Sequence, residues 1–172
     1  WRQGDINIVV NMEREGFAHS SFIVHGTSVY AIGLMVEDAK ATVERARALG
    51  AEPFEQAVGP GELLIPAIRG VGGGVIYFLD RNSDLSRVWD VEFLPMENMP
   101  PAQTAGLTRI DHVGQTMDHA EMLSWLLFYS AIFRTQKTPL VDVIDPAGVV
   151  RSQVVENADG SFRLTLNGAE NR

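Results

Sequence analysis

Two stretches of this chain carry the same order of signals 80 residues apart. In the first, the apolar run Val29–Val36 reads as a strand. Asp38 follows as a helix N-cap, with Ala39, Val43 and Ala46 at helical spacing and Gly50 as the stop. This spacing predicts a helix over 38–49. In the second, Arg109–Thr116 reads as a strand, and Asp118 with Glu121 reads as a capping box. Met122, Trp125, Leu126, Tyr129, Ile132 and Phe133 then mark one face of a longer helix. The offset lays Asp38 on Asp118 and Ile32 on His112. Each predicted helix leads into further strands: Leu63–Ile68, Val75–Leu79 and Trp89–Leu94 after the first, Val141–Ile144, Val149–Val155 and Phe162–Leu166 after the second. Asp159-Gly160 is a hairpin signal between the last two. The chain is therefore a repeat of strand, capped helix and strand meander, an α+β pattern.

The remainder fits around that repeat. Asp5–Asn11 alternates polar and apolar residues as a half-buried strand does, and Ser21–His25 reads as a second, shorter strand. Residues 1–26 have the look of the tail of an earlier unit. The prolines of Pro95–Thr104 predict a linker between the two repeats. The chain opens on Trp1 rather than Met and closes just after a strand, so we expect a piece of a longer polypeptide.

Composition narrows the function classes. The 172 residues include no cysteine, which removes disulfide frameworks, zinc ribbons and thiol nucleophiles. Acidic residues outnumber basic ones 22 to 14, and the net charge of −8 disfavours nonspecific binding to nucleic acid or an anionic membrane. No apolar run approaches the ~20 residues a spanning helix needs, and no signal peptide is visible. A reducing, cytoplasmic setting fits these features.

Of four histidines, His112 is the one of interest. Strand alternation over 109–116 puts it in mid-strand, sharing a face with Ile110 and Gly114. Its repeat counterpart is Ile32, so the fold itself does not ask for a polar group there. An imidazole in such a place is a satisfied core histidine, a base or a metal ligand. A triad of two histidines and a carboxylate needs two more groups on the same face. His119, on the first helical turn, is expected to face solvent. Gly70–Gly74 precedes a strand instead of opening a helix, so it reads as a turn and not a phosphate loop. Ser152 and Asn167 are polar residues on neighbouring predicted strands.

Several segments together carry a family likeness: Gln3–Asn7, His25-Gly26, Val36–Ala39, Arg45–Pro53, Ile65–Gly73, Ile76–Asp80, Ile110-Asp-His112 and Leu164–Asn167. In these the chain resembles the 4-hydroxyphenylpyruvate dioxygenase family of the vicinal-oxygen-chelate fold. The resemblance implies paired βαβββ units, incomplete here at both ends. Residues 1–94 would hold the end of unit one and all of unit two, 95–107 a linker, and 108–172 the first part of the metal-binding half. His112 matches the family's first iron ligand. Ser152 and Asn167 match polar residues used near its substrate. The cofactor implied is Fe(II) or another divalent metal, with the remaining ligands outside this chain, and the partner implied is a small-molecule 2-oxoacid. The activity implied is oxidative decarboxylation and ring hydroxylation of an aryl 2-oxoacid.

Val141–Val155 looks most like the dioxygenase-like C-terminal domain of bacterial two-domain 3-dehydroshikimate dehydratases, in which a barrel precedes this domain. That resemblance implies a fused N-terminal barrel and allows a homo-oligomer. The Pro-Leu-Asn-Glu of the dioxygenases is Thr165-Leu-Asn-Gly168 here. The departure favours the alternative of a non-catalytic domain with a structural or assembly role. So does Trp125–Tyr129, a helical run apolar nearly all round.

Overall fold

A computed structural model of the chain describes residues 1–97, 103–146 and 148–169. It divides into two compact units, Trp1–Arg109 and Ile110–Arg172.

The first unit is organised around β5 (Val75–Leu79), which runs parallel to β3 (Ala31–Met35) and antiparallel to β4 (Ala67–Arg69). Two neighbouring parallel strands need a crossover connection, and helix α2 (Ala39–Ala48) supplies it. Asp38 begins the helix as its sequence promised: Oδ1 accepts the N–H of Ala41 at 2.8 Å. Buried Asp80, at the end of β5, adds an acceptor from the far side, its Oδ2 taking the N–H of Ala39 at 3.0 Å. Its Oδ1 accepts from Asn82 and Ser83. These bonds, that from Ala39 foremost, hold the Asp80 carboxyl below the usual range. Ala39 and Ala46 carry so little bulk that α2 can lie close on β4 and β5, where Ile68, Ile76 and Phe78 are fully enclosed. Gly70–Gly74 forms the expected turn, with Gly72 and Gly73 at positive φ.

Four expected strands of this unit come out differently; Leu63–Ile68 is strand only from Ala67, within β4. Ser21–His25 lies in a helix, α1 (Gly16–His25), not a strand. A run with only Phe22, Ile23 and Val24 apolar does not by itself distinguish the two. Here Gly26, at φ 68°, closes the helix by donating to the Phe22 carbonyl. Phe17 anchors the helix, its ring 5.3 Å from Phe54 and 5.8 Å from Tyr30. The Arg69 guanidinium lies 4.3 Å from the Phe17 ring centroid and 4.5 Å from that of Phe54. Trp89–Leu94 is not a strand either. A 3-10 turn at Asp84–Arg87 runs into α3 (Val88–Val91). Ser83 Oγ caps that turn through the Leu85 N–H, and Leu85 and Val88 are buried three residues apart, a helical period. Cap and burial together outweigh the strand propensity of the aromatic and branched residues. Of Asp5–Asn11, Ile6–Asn7 (β2) pairs with Arg2–Gln3 (β1), and Ile8 extends the pairing by exchanging two backbone hydrogen bonds with Trp1, at 2.9 and 2.7 Å. Ile8, Val9 and Val10 are exposed, and Val9 and Val10 lie outside any strand among the described residues. In the expected linker, Pro95–Glu97, Gln103 and Thr104 form neither helix nor strand; 98–102 lie outside the described residues.

The second unit repeats the topology. β6 (Val113–Asp118) and β10 (Arg163–Ala169) are parallel neighbours, joined across α4 (His119–Ile132). β9 (Gly148–Glu156) pairs antiparallel with β10. On its other side β9 pairs with β7 (Gln136–Lys137), a strand sequence reading did not find, and with β8 (Val141–Asp145). The β9–β10 hairpin forms where Asp159-Gly160 signalled it, in a longer loop over 157–162, with Gly160 at φ 69°. Met122, Leu126, Tyr129 and Ile132 of α4 are buried. The Tyr129 hydroxyl donates to Gln115 Oε1 at 2.8 Å. The sheet residues buried with them are Met117, Val155, Leu164 and Leu166.

The Asp118–Glu121 capping box does not form: Asp118 holds the N-cap position without a side-chain capping bond. Asp118 is still in the β6–β10 ladder, paired with Ala169. Strand alternation sends its side chain to the face opposite Met117, away from the helix.

A polar sheet face as candidate functional site

Alternation gives the second sheet two unlike faces. One, with Met117, Leu164, Leu166 and Val155, lies under α4. The other presents Gly114 and Thr116 from β6, Thr165 and Asn167 from β10, and Ser152 with Val150 and Val154 from β9, and it turns apolar at β8, where Val141 and Val143 follow. These residues are exposed or half-buried. Asn167 is in register with Ser152 on one side and Thr116 on the other, so one row of hydrogen-bonding side chains crosses three strands. A Cβ built on Gly114 would lie 3.8 Å from Asn167 Nδ2, so the Asn167 amide reaches toward the strip of β6 that glycine leaves open.

His112 is placed otherwise than expected. It sits just before β6, not in mid-strand, and its side chain is 51% exposed. The helix starts keep the 80-residue offset, Ala39 to His119, but β6 begins two residues later than β3 would require. Ile32 is inside its ladder, paired with Ile76, while His112 is outside one. The two positions are therefore not equivalent. Ser152 and Asn167 are brought together, and His112 is not beside them. Continuing the β6–β10 register places it near Arg163, four residues and about 13 Å along β10 from Asn167. A single ligand touching all three would have to lie lengthwise along the sheet.

At the His112 end, three residues that sequence reasoning missed form a chain of contacts. His112 Nδ1 lies 2.9 Å from Asp111 Oδ2. Arg163 Nη1 donates to both Asp111 oxygens, at 3.2 and 3.3 Å, and Arg163 Nε donates to Glu156 Oε2 at 2.9 Å. Glu156, then Asp111, raise the Arg163 pKa further above its already high value. One signal for this was available. The hairpin that Asp159-Gly160 marks sets Glu156 opposite Arg163 as a cross-strand pair of opposite charge.

His119, expected to face solvent, is half-buried, and its Nε2 lies 2.8 Å from Arg151 Nη1. Arginine only donates, so Nε2 is the acceptor there. This places His119 under the helix, on the sheet side opposite Ser152 and Asn167. As for a metal, no group of three or more His, Cys, Asp or Glu side chains able to hold an ion occurs among the described residues. The exposed imidazole of His112, with Nδ1 engaged and Nε2 left over, fits one ligand position and not a whole site.

Residues 1–94 match the family model for the N-terminal part of hydroxyphenylpyruvate dioxygenase (HPPD). The chain belongs to the HPPD family. This HPPD-family chain is 40% identical over 171 residues to a 3-dehydroshikimate dehydratase of Pseudomonas aeruginosa, a match covering 99% of the chain and 27% of that protein. It is 33% identical to a 4-hydroxyphenylpyruvate dioxygenase of a Pseudomonas species, over 97% of the chain and 47% of the relative. The chain thus spans about a quarter to a half of the curated relatives it matches. Among solved structures, a xylose isomerase-like TIM barrel/4-hydroxyphenylpyruvate dioxygenase fusion protein superposes with a TM-score of 0.79 at 37% identity, over 99% of the chain and 26% of that protein. A 4-hydroxymandelate synthase variant from Streptomyces coelicolor shares the fold, with a TM-score of 0.63 at 18% identity, over 87% of the chain and 43% of its own. The expected vicinal-oxygen-chelate architecture is therefore right: mixed α and β, in repeated units, with no closed barrel among the described residues. No helix among the described residues is long and apolar enough to cross a membrane.

Proposed function

We propose that this chain is the HPPD-like domain of a longer, cytoplasmic polypeptide with a barrel N-terminal to it. Its polar sheet face would bind an aryl 2-oxoacid beside a divalent metal for oxidative decarboxylation and ring hydroxylation. The observation that carries the reading is the row Thr116–Asn167–Ser152, hydrogen-bonding groups set on a rigid sheet face that α4 leaves uncovered. His112 would give one ligand, and the others would come from outside this chain. A bound Fe(II) would supply a Lewis acid for the 2-oxoacid and a redox centre for dioxygen. Ser152 and Asn167 would hold the substrate by hydrogen bonds from neighbouring strands, which fixes orientation better than a loop would. The barrel is supported by the 27% and 26% coverage of the dehydratase relative and the fusion protein.

A specific observation favours a second reading, in which the domain is an accessory to a dehydratase barrel. A Cβ on Gly168 would stand 2.9 Å from His119 Nδ1 and 3.1 Å from His119 Cα. The first turn of α4 thus occupies the space that the glutamate of the dioxygenase pattern would need.

Iron-dependent oxygen uptake by the full-length protein with 4-hydroxyphenylpyruvate separates the two. Uptake abolished by His112→Ala supports the dioxygenase. No uptake with any aryl 2-oxoacid, in iron-loaded protein, leaves the accessory reading. Deletion of the domain should then lower the stability or change the assembly of what remains.

A further inference from the structure

Asp111 meets two groups at once, the imidazole of His112 and the guanidinium of Arg163. An ionised carboxylate only accepts hydrogen bonds. The 2.9 Å contact to His112 therefore requires the imidazole proton to sit on Nδ1. The Arg163 guanidinium meets both Asp111 oxygens at 3.2 and 3.3 Å, and Glu156 fixes the same guanidinium through Nε at 2.9 Å. Arg163 and Glu156 sit directly opposite each other on β10 and β9, so the anchor of the chain is in the sheet and not in a loop. Asp111 and His112 are about half exposed, at 53% and 51%, and Arg163 is 34% exposed. Ion pairs so exposed contribute little to stability. What this one fixes is direction.

We propose that Asp111, braced by Arg163 and Glu156, is a positioning residue that sets the His112 tautomer, with hydrogen on Nδ1 and the Nε2 lone pair offered to a metal ion. The metal part rests on the reading above; the tautomer part does not. A carboxylate on the far nitrogen of a metal-binding histidine fixes ring orientation and raises ligand basicity.

The test is nitrogen-15 NMR of the histidine-labelled protein without metal, at about pH 8, where an ordinary imidazole is neutral. His112 is assigned by the signal lost in His112→Gln. Its Nδ1 should be protonated and its Nε2 bare. Asp111→Ala should move His112 toward the Nε2–H tautomer and weaken cobalt(II) binding about 10–100-fold. Asp111→Asn, whose Oδ1 still accepts, should restore the Nδ1–H tautomer. An Nε2–H tautomer in the wild-type protein, or one unchanged by Asp111→Ala, overturns the brace even if cobalt binds at His112. In the full-length protein, which carries the remaining ligands, the expected tautomer with no cobalt bound at His112 overturns the metal reading and leaves the tautomer assignment standing.

Discussion

The two units share a scaffold and dress it differently. In each, the strand before the crossing helix lies parallel to the last strand, β3 to β5 and β6 to β10, and one sheet face is packed under that helix. The opposite face of the first sheet carries Ala67, Arg69, Val75 and Tyr77. An aromatic cluster gathers there, with Arg69 near Phe17 and Phe54, and Phe54 edge-on to Tyr77 at 6.2 Å. The same face of the second sheet carries Thr116, Thr165, Asn167 and Ser152. The helices differ too. The exposed residues of α2 are mostly polar, among them Lys40, Glu44 and Arg45, whereas α4 exposes Leu123 and Leu127 at 72% and 69%. The second unit thus combines a polar strip on one sheet face with a helix exterior that shows Leu123 and Leu127 among Glu121, Ser124 and Ser130. Topology sets where a site can form, and the side chains on one face decide whether it does.

The largest effects should come from the cores. Tyr129 and Phe78 are each fully buried, one per unit. Truncating either to alanine should cost about 3–5 kcal/mol. Hydrogen exchange should localise the damage, Tyr129→Ala speeding exchange in β6, β9 and β10 while β3–β5 keep their protection. Equal loss in both sheets would contradict the division into two units.

A smaller effect is expected where the second unit departs from the dioxygenase pattern. Gly168→Glu should destabilise the protein by about 1–3 kcal/mol, because a side chain there must displace the start of α4. A denaturation midpoint equal to wild type would show that the space is available, and would remove the main support for the accessory reading.

The smallest effect concerns the helix starts, and its sign follows from Asp80. Its folded pKa is depressed, so the stability it contributes is present above the ordinary carboxylate pKa of about 3.9 and is lost as pH falls through the lower folded value. Asp80→Ala should therefore melt below wild type at pH 7, with the gap closing on acidification. A gap that widens toward low pH would contradict the assignment.

The sequence made much of this legible, for identifiable reasons. Asp38 and Gly50 bound α2 because cap chemistry is local. Asn167 and Ser152 came out side by side because alternation and one hairpin signal set the register. What failed was what depends on distant partners. The helix at Ser21–His25 rests on Phe17 meeting Tyr30 and Phe54. The helical turn before Trp89 rests on Ser83 and on burial of Leu85 and Val88. His112 was misplaced because a two-residue shift in strand onset, invisible in an offset matched on helix caps, takes it out of the ladder. Asp111 was passed over because its importance comes from Arg163, 52 residues away.

On the proposed reading, the second unit gives one ligand, His112, to a metal whose other ligands lie outside this chain. Paramagnetic NMR with manganese(II) tests it most directly, since line broadening detects even a weak site and locates it. In the full-length protein, broadening is expected to centre on His112, to reach Asp111 and Arg163 before Asn167 and Ser152, and to be lost in His112→Ala. Broadening confined to other acidic surface residues, and unchanged in His112→Ala, would contradict that reading.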